Sequence, residues 1–173
     1  MVMIDLITGF LGSGKTTFLK KYAEYLMDQG LHIGILENDF GAINVDMLML
    51  HELRGDQCEL EMIAGGCDAE SHRRRFRTKL ISMRMCGYDR VLVEPSGIYD
   101  VDEFFDVLRE EPLDQWYEIG NVIAILDARL EKNLSQQADY LLASEAANAG
   151  KVILSHADAA TREQCEDTVA HLN

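Results

Sequence analysis

Gly9-Phe10-Leu11-Gly12-Ser13-Gly14-Lys15-Thr16 decides how this chain is read. The stretch fits G-x-x-x-x-G-K-[ST] at every fixed position. Each residue type answers a physical demand. Glycine lets the backbone turn tightly and aim its N–H groups at an anion. A helix expected to begin at about Lys15 adds the positive end of its dipole. Gly9, Gly12, Ser13 and Gly14 therefore form a cradle for a polyphosphate. Lys15 carries an ammonium to the β- and γ-phosphates, Thr16 offers a hydroxyl to magnesium, and Thr17 is a further phosphate contact. The context agrees: Val2 to Ile7 is an aliphatic, strand-like run just before the loop. After it, Phe18, Leu19, Tyr22, Ala23 and Leu26 recur at helical steps through Thr16 to Met27, and Gly30 is placed to end that helix.

Outward from the loop, short apolar runs alternate with longer periodic ones. Strands are expected at Leu31 to Leu36, Glu59 to Ile63, Val91 to Val93, Val122 to Leu126 and Val152 to Leu154. Helices are expected at Ser71 to Cys86, Val101 to Leu108 and Leu134 to Ala149. Thr161, with Gln164 three residues on, has the capping-box spacing for a last helix. Glu37 to Asp46 reads as a polar loop. This alternation predicts an α/β fold of three layers, α/β/α, with a mainly parallel sheet. Ligands of such sheets sit at the carboxyl ends of the strands, where the polar clusters after Ile7, Leu36, Val93 and Leu154 fall. No repeat or linker interrupts the pattern, so residues 1–173 are expected to form one domain.

The chain's 173 residues are 47% hydrophobic and 27% charged, an ordinary globular balance that excludes a disordered chain. No apolar run approaches the roughly 20 residues of a membrane span. Asp5 interrupts the first apolar stretch and no basic region precedes it, unlike a signal peptide. A cytoplasmic location and no membrane partner are the expectations. The net charge of −14 argues against nucleic acid, though not against a nucleotide gripped by a few local donors. Arg73, Arg74, Arg75 and Arg77 read as a solvated helix face. The four cysteines form no C-x-x-C pair and are expected to be reduced. Cys58, Cys86 and Cys165 read as small buried hydrophobes.

A strand that ends in an acidic residue commonly supplies a second magnesium contact. Val91-Leu92-Val93-Glu94 does so, with Glu94 holding a magnesium-bound water and Gly97 offering its N–H to the γ-phosphate. Glu37, Asp39 and Asp46 crowd the segment after the second strand. Carboxylates so close to a triphosphate repel it unless a metal, or a water positioned by Asp39 for attack, relieves the charge. Lys15, Asp39 and Glu94 are thus the candidate catalytic groups.

Taken in order, Thr8 to Thr17, Glu37-Asn38-Asp39-Phe40-Gly41, Gly65-Gly66-Cys67, Glu94-Pro95-Ser96-Gly97, Asp127-Ala128 and Ser155-His156-Ala157-Asp158 resemble the CobW/HypB/UreG group of P-loop GTPases, its CobW-like branch in particular. The blocks span nearly the whole chain. The resemblance implies a P-loop NTPase fold, GTP with Mg2+, and hydrolysis coupled to delivery of zinc, cobalt or nickel to a metalloprotein client. Turnover is expected to be slow without a partner, because no arginine finger or glutamine stands at the switch segments.

Two blocks depart from the family pattern. Where the family reads the base with Asn/Thr/Ser-Lys-x-Asp, this chain has Ser155-His156-Ala157-Asp158. Asp158 can accept from both guanine N–H edges, while His156 would stack on the base in place of the lysine stem. Where the family shows Cys-x-Cys-Cys, this chain has Cys67-Asp68-Ala69-Glu70-Ser71-His72. A mixed transition-metal site of Cys67, Glu37, His72 and one of Asp68 or Glu70 is the resulting candidate. The missing thiols leave an alternative: a nucleotide-gated protein-binding module with little turnover and no metal. A small-molecule kinase with a lid at Arg73 to Arg77 is a third reading. Family members usually add a strand and a C-terminal domain beyond the equivalent of Asn173, so that domain is expected to be absent from residues 1–173. The oligomeric state stays open, with a homo-oligomer as a candidate.

Overall fold

The computed structural model describes residues 1–10, 12–39, 45–64, 68–95, 101–130 and 134–172, with backbone alone at Asn38, Asp39, Val45, Asp46, Met47 and Ala64. The elements in chain order are β1 (Val2–Thr8), α1 (Lys15–Asp28), β2 (Ile33–Asp39), α2 (Val45–Leu50), a 3-10 turn at His51–Leu53, β3 (Cys58–Ala64) and α3 (Ala69–Arg84). Then follow β4 (Arg90–Pro95), α4 (Val101–Leu108), α5 (Leu113–Trp116), β5 (Tyr117–Asp127), α6 (Gln136–Asn148), β6 (Lys151–Ser155) and α7 (Arg162–His171).

The six strands form one sheet in the order β3-β2-β4-β1-β5-β6, and each strand pairing is parallel. The expected α/β/α layering with a parallel sheet is what the chain adopts. Period-two alternation divides each strand between two cores. Ile4, Leu6, Leu36, Val91 and Val93 pack with Phe76, Leu80 and Phe104, the face covered by α3 and α4. Ile7, Ile33, Ile35 and Leu92 pack with Leu19, Ala23 and Leu26, the face covered by α1. Strands buried on both faces read as continuous aliphatic runs, as these do.

Several boundaries differ from the sequence reading. β2 runs on through Asp39, and Val45–Leu50 is helical, so Asp46 belongs to α2 rather than to a polar loop. β5 begins at Tyr117, five residues before the expected start, and α5 was not expected at all. Glu118, Gly120 and Asn121 hide the strand from a hydrophobicity reading. The backbone there is instead satisfied by β1 and by Asp5, whose Oδ1 accepts from Asn121 N at 2.6 Å. Thr161 does close a capping box with Gln164. The Arg73–Arg77 face is not merely solvated: Arg73 and Arg77 both reach Glu110, at 2.6 and 3.0 Å, tying α3 to the segment after α4. Cys58 is buried as expected, and burial pushes its thiol up to about 11, but Cys86 is exposed. No helix among the described residues is long and apolar enough to cross a membrane.

Candidate functional site

Parallel order places β1 between β4 and β5, so the β1–α1 turn lies over the middle of the sheet's carboxyl edge. Three glycines shape that turn: Gly9 at φ 141°, Gly12 at 78° and Gly14 at 91°. A side chain at Gly9 would also run into the Ile125 carbonyl, so the loop lies directly on β5. Gly14 is the N-cap of α1 and offers no side-chain cap, which leaves the first amides of a 14-residue helix directed outward. Lys15 is nearly buried, and its ammonium donates to Phe10 O at 3.0 Å across the mouth of the loop. Ser13 Oγ is buried and has no partner among the described residues. A curved run of amides, an ammonium and a spare hydroxyl form a donor set with the chemistry of a phosphate site. Thr17 is exposed at the start of α1.

A second cluster lies under the head of α1. Glu37 and Glu94 occupy directly paired positions on β2 and β4, and both are buried. Alternation turns both toward the α1 face, the side that Ile35 and Leu92 also face. Thr16 Oγ1 donates to Glu94 Oε1 at 2.7 Å. Two buried carboxylates at paired positions repel each other, and oxygen donors so grouped suit a hard divalent cation. These residues fit magnesium.

The other flank of the loop faces β5 and β6. Ser155 Cβ stands 3.6 Å from where a Cβ on Gly14 would be, which brings the end of β6 against the loop. A cavity of about 320 Å3 opens there among Phe10, Ser13, Asp127, Arg129 and Leu134. Arg129 grips Asp127 through Nε and Nη2 at 3.0 and 2.9 Å, and this holds the Asp127 carboxyl down at about 2. His156, at φ 52°, sets its Nδ1 3.0 Å from Asp127 Oδ2. The imidazole is therefore held at its Nδ1 edge by Asp127. Asp158 is exposed and close enough to Arg129 to act on its charge.

The proposed transition-metal set is not gathered in one place by the described residues. His72 is buried on α3 with Nδ1 2.7 Å from Glu103 of α4. Asp68 is the N-cap of α3, accepting from Ser71 N at 2.8 Å and Ser71 Oγ at 2.9 Å. No three His, Cys, Asp or Glu side chains among the described residues form a metal cluster. Cys67 and Gly97 lie outside the described residues, as does the Asp39 side chain.

The model of the CobW/HypB/UreG nucleotide-binding domain matches residues 3–173. This chain belongs to the CobW/HypB/UreG family. Its curated relatives include two from Escherichia coli (strain K12). The zinc chaperone YjiA is 28% identical over 186 residues, covering 99% of this chain and 55% of YjiA. The zinc chaperone YeiR is 31% identical over 157 residues, covering 87% of this chain and 47% of YeiR. The chain thus spans about half the length of these relatives. Among solved structures, Zn(II)-bound YjiA GTPase from E. coli superposes at TM-score 0.60 with 21% identity, covering 99% of this chain and 54% of that one. The signal recognition particle receptor FtsY from Elizabethkingia anophelis in complex with GDP reaches 0.69 at 18% identity, covering 100% of this chain and 55% of that one. Likeness at these identities speaks for the fold.

Two groups at the site of this CobW/HypB/UreG chain were not found by sequence reasoning. Arg129 follows Asp127-Ala128 in a segment without periodicity. Glu145 sits on α6, in a run that reads only as helical, and it is buried and accepts from Thr8 Oγ1 at 3.0 Å. No local pattern distinguishes such a carboxylate from a surface one.

Proposed function

We propose that this chain binds GTP with magnesium, hydrolyses it slowly without a partner, and couples nucleotide state to a transition metal ion, zinc foremost, destined for a client protein. The observation that carries the reading is the Thr16 Oγ1 to Glu94 Oε1 contact beneath a glycine-shaped loop, in a chain of the CobW/HypB/UreG family. In this reading residues 1–173 are one nucleotide-binding domain. The amides of Gly12 and of Gly14 to Thr17, with the Lys15 ammonium, hold the phosphates, while the Ser13 amide closes the turn on Phe10 O at 3.1 Å. Thr16, Glu94 and Glu37 hold magnesium, which when bound neutralises charge on the transferred phosphoryl group. Asp39 positions the attacking water and Gly97 donates its N–H to the γ-phosphate. Ser155 and Asp158 read the base, with His156 braced by Asp127 rather than lying on the ring. Zinc is suggested by the names of the relatives YjiA and YeiR, both zinc chaperones.

A second reading keeps the nucleotide and drops the metal: a nucleotide-gated protein-binding module. The engagement of His72 by Glu103 and of Asp68 by Ser71 favours it, because both candidate ligands already serve α3. Calorimetric titration of GTP and ATP side by side, with magnesium and with or without zinc, separates the readings. Tighter binding of GTP, and zinc affinity that differs between the GDP form and a form loaded with a non-hydrolysable GTP analogue, support the first. Equal zinc affinity in both states leaves the second. Binding of neither nucleotide refutes both.

A further inference from the structure

Thr8 is the last residue of β1, and Gly9 begins the phosphate loop. Thr8 continues the Ile4–Leu6 face of the strand, and on that face it meets α6 rather than α1. The Thr8 hydroxyl donates to Glu145 Oε1 at 3.0 Å, and the Gly9 N–H donates to the same carboxyl. Glu145 is 2% exposed, 137 residues away in sequence, and its Oε2 has no partner among the described residues. One carboxyl thus holds the last side chain before the loop and the first amide within it. The Gly9 amide is thereby committed to Glu145, as the Ser13 amide is to Phe10 O at 3.1 Å. Lys15, at the head of α1, is the charged group whose field reaches Glu145.

We propose that Glu145 is a positioning residue of the phosphate loop, fixing the turn out of β1 through Thr8 Oγ1 and Gly9 N–H, and that it does so as the neutral acid when polyphosphate is bound. The inference rests on the nucleotide reading above. Its geometry needs an acceptor oxygen, which the neutral acid also offers. A carboxylate buried behind the loop repels the phosphates in front of it. The Lys15 ammonium, which would offset it, is drawn toward those phosphates. Burial already pushes the carboxyl up to about 7, against the opposing influence of Thr8, Lys15 and Gly9. A bound polyphosphate raises it further, so binding near neutrality takes a proton from solvent onto Glu145.

Glu145→Gln preserves the acceptor and removes the charge, whereas Glu145→Ala removes both. The test is GDP affinity with magnesium for the wild type and both variants from about pH 6 to about pH 8.5, with circular dichroism to verify folding. Taking each ratio to E145Q at the same pH cancels the titration of the nucleotide itself. The wild type is expected to match E145Q at the acid end and to fall behind it toward the alkaline end, by about tenfold for each unit by which the phosphate raises Glu145. Folded E145A is expected to bind more weakly than E145Q throughout. A wild-type to E145Q ratio independent of pH overturns the proposal, as does folded E145A binding as tightly as E145Q. Should E145A fail to fold, the E145Q profile decides alone. If the wild type binds no GDP at all, the nucleotide reading falls, and this inference with it.

Discussion

Thr16 Oγ1 and Glu94 Oε1 lie 2.7 Å apart, joining the first turn of α1 to the end of β4 across 78 residues of sequence. Only a parallel sheet with β4 beside β1 brings these two ends together. Thr16→Ala removes the hydroxyl and leaves the loop backbone intact. A hydrogen bond to a charged group is worth about 1.5–3 kcal/mol. The variant is therefore expected to lose about 10- to 100-fold of the gain that magnesium gives GTP binding. Dissociation constants measured with magnesium and with excess chelator check this. An unchanged magnesium dependence would remove Thr16 from the metal site.

Lys15 is buried at the mouth of the loop with its ammonium on Phe10 O. Its charge is held beside the amides of the loop and is poorly screened by solvent. Lys15→Ala is expected to weaken GTP binding by at least about 100-fold, while GDP and GTP affinities converge. Melting temperature without nucleotide should change little. Retained tight GTP binding would contradict the role given to Lys15.

How much of this was legible in the sequence depends on whether the signal was local. The loop carries its chemistry in eight consecutive residues, and the strand and helix around it carry clear periods, so fold and phosphate cradle could be read together. Glu94 was found because a strand ran straight into it. Glu37 was placed after its strand and assigned to a transition metal, yet it lies inside β2, side by side with Glu94. That pairing is a fact of sheet order, which spacing along the chain does not encode. The contacts of His156 and Glu145 are hidden from the sequence for the same reason. Their partners, Asp127 and Thr8, are 29 and 137 residues distant. β5 was missed at its start because a buried aspartate, not side-chain hydrophobicity, satisfies it.

Base discrimination should rest on Asp158 rather than on His156. Asp158 is exposed at the loop after β6, whereas the His156 ring is engaged by Asp127. Asp158→Asn leaves a guanine N–H without its carboxylate and is expected to erode the preference for GTP over ATP by about tenfold or more. His156→Ala is expected to leave that preference within about threefold. Competition of ATP against labelled GDP measures both. If His156→Ala abolishes the preference, the imidazole acts on the base after all.

Asp5 anchors the amino half of the sheet. It is wholly buried and receives Arg90 Nε at 2.6 Å, Arg90 Nη2 at 2.9 Å, Tyr22 Oη at 2.9 Å and Asn121 N at 2.6 Å. A side chain on Gly120 would strike this carboxylate, so the space is matched on both sides. Asp5→Ala strands the Arg90 guanidinium and two further donors, Tyr22 Oη and Asn121 N. Breaking such a pair from one side costs about 3–5 kcal/mol. Urea unfolding should show that loss, with GDP affinity of the folded protein unchanged, since the network lies away from the phosphate loop. A loss below about 1 kcal/mol would mean that water replaces the carboxylate.

Glu145 also predicts how stability varies with pH. Burial raises its carboxyl from 4.5 to about 7, so between those values the folded chain holds a proton that the unfolded chain releases. Stability from this group is complete below about 4.5 and is lost as pH rises through about 7. At 1.36 kcal/mol per unit the loss is of the order of 3 kcal/mol. Glu145→Gln has no proton to lose. The stability of the wild type relative to E145Q should therefore drop by that order between about pH 5 and about pH 8 and stay flat above. Urea midpoints of the two proteins at both pH values supply the comparison, with other titrating groups common to both. A difference that does not move with pH would mean that Glu145 ionises as an ordinary carboxylate, and that the turn out of β1 tolerates the charge.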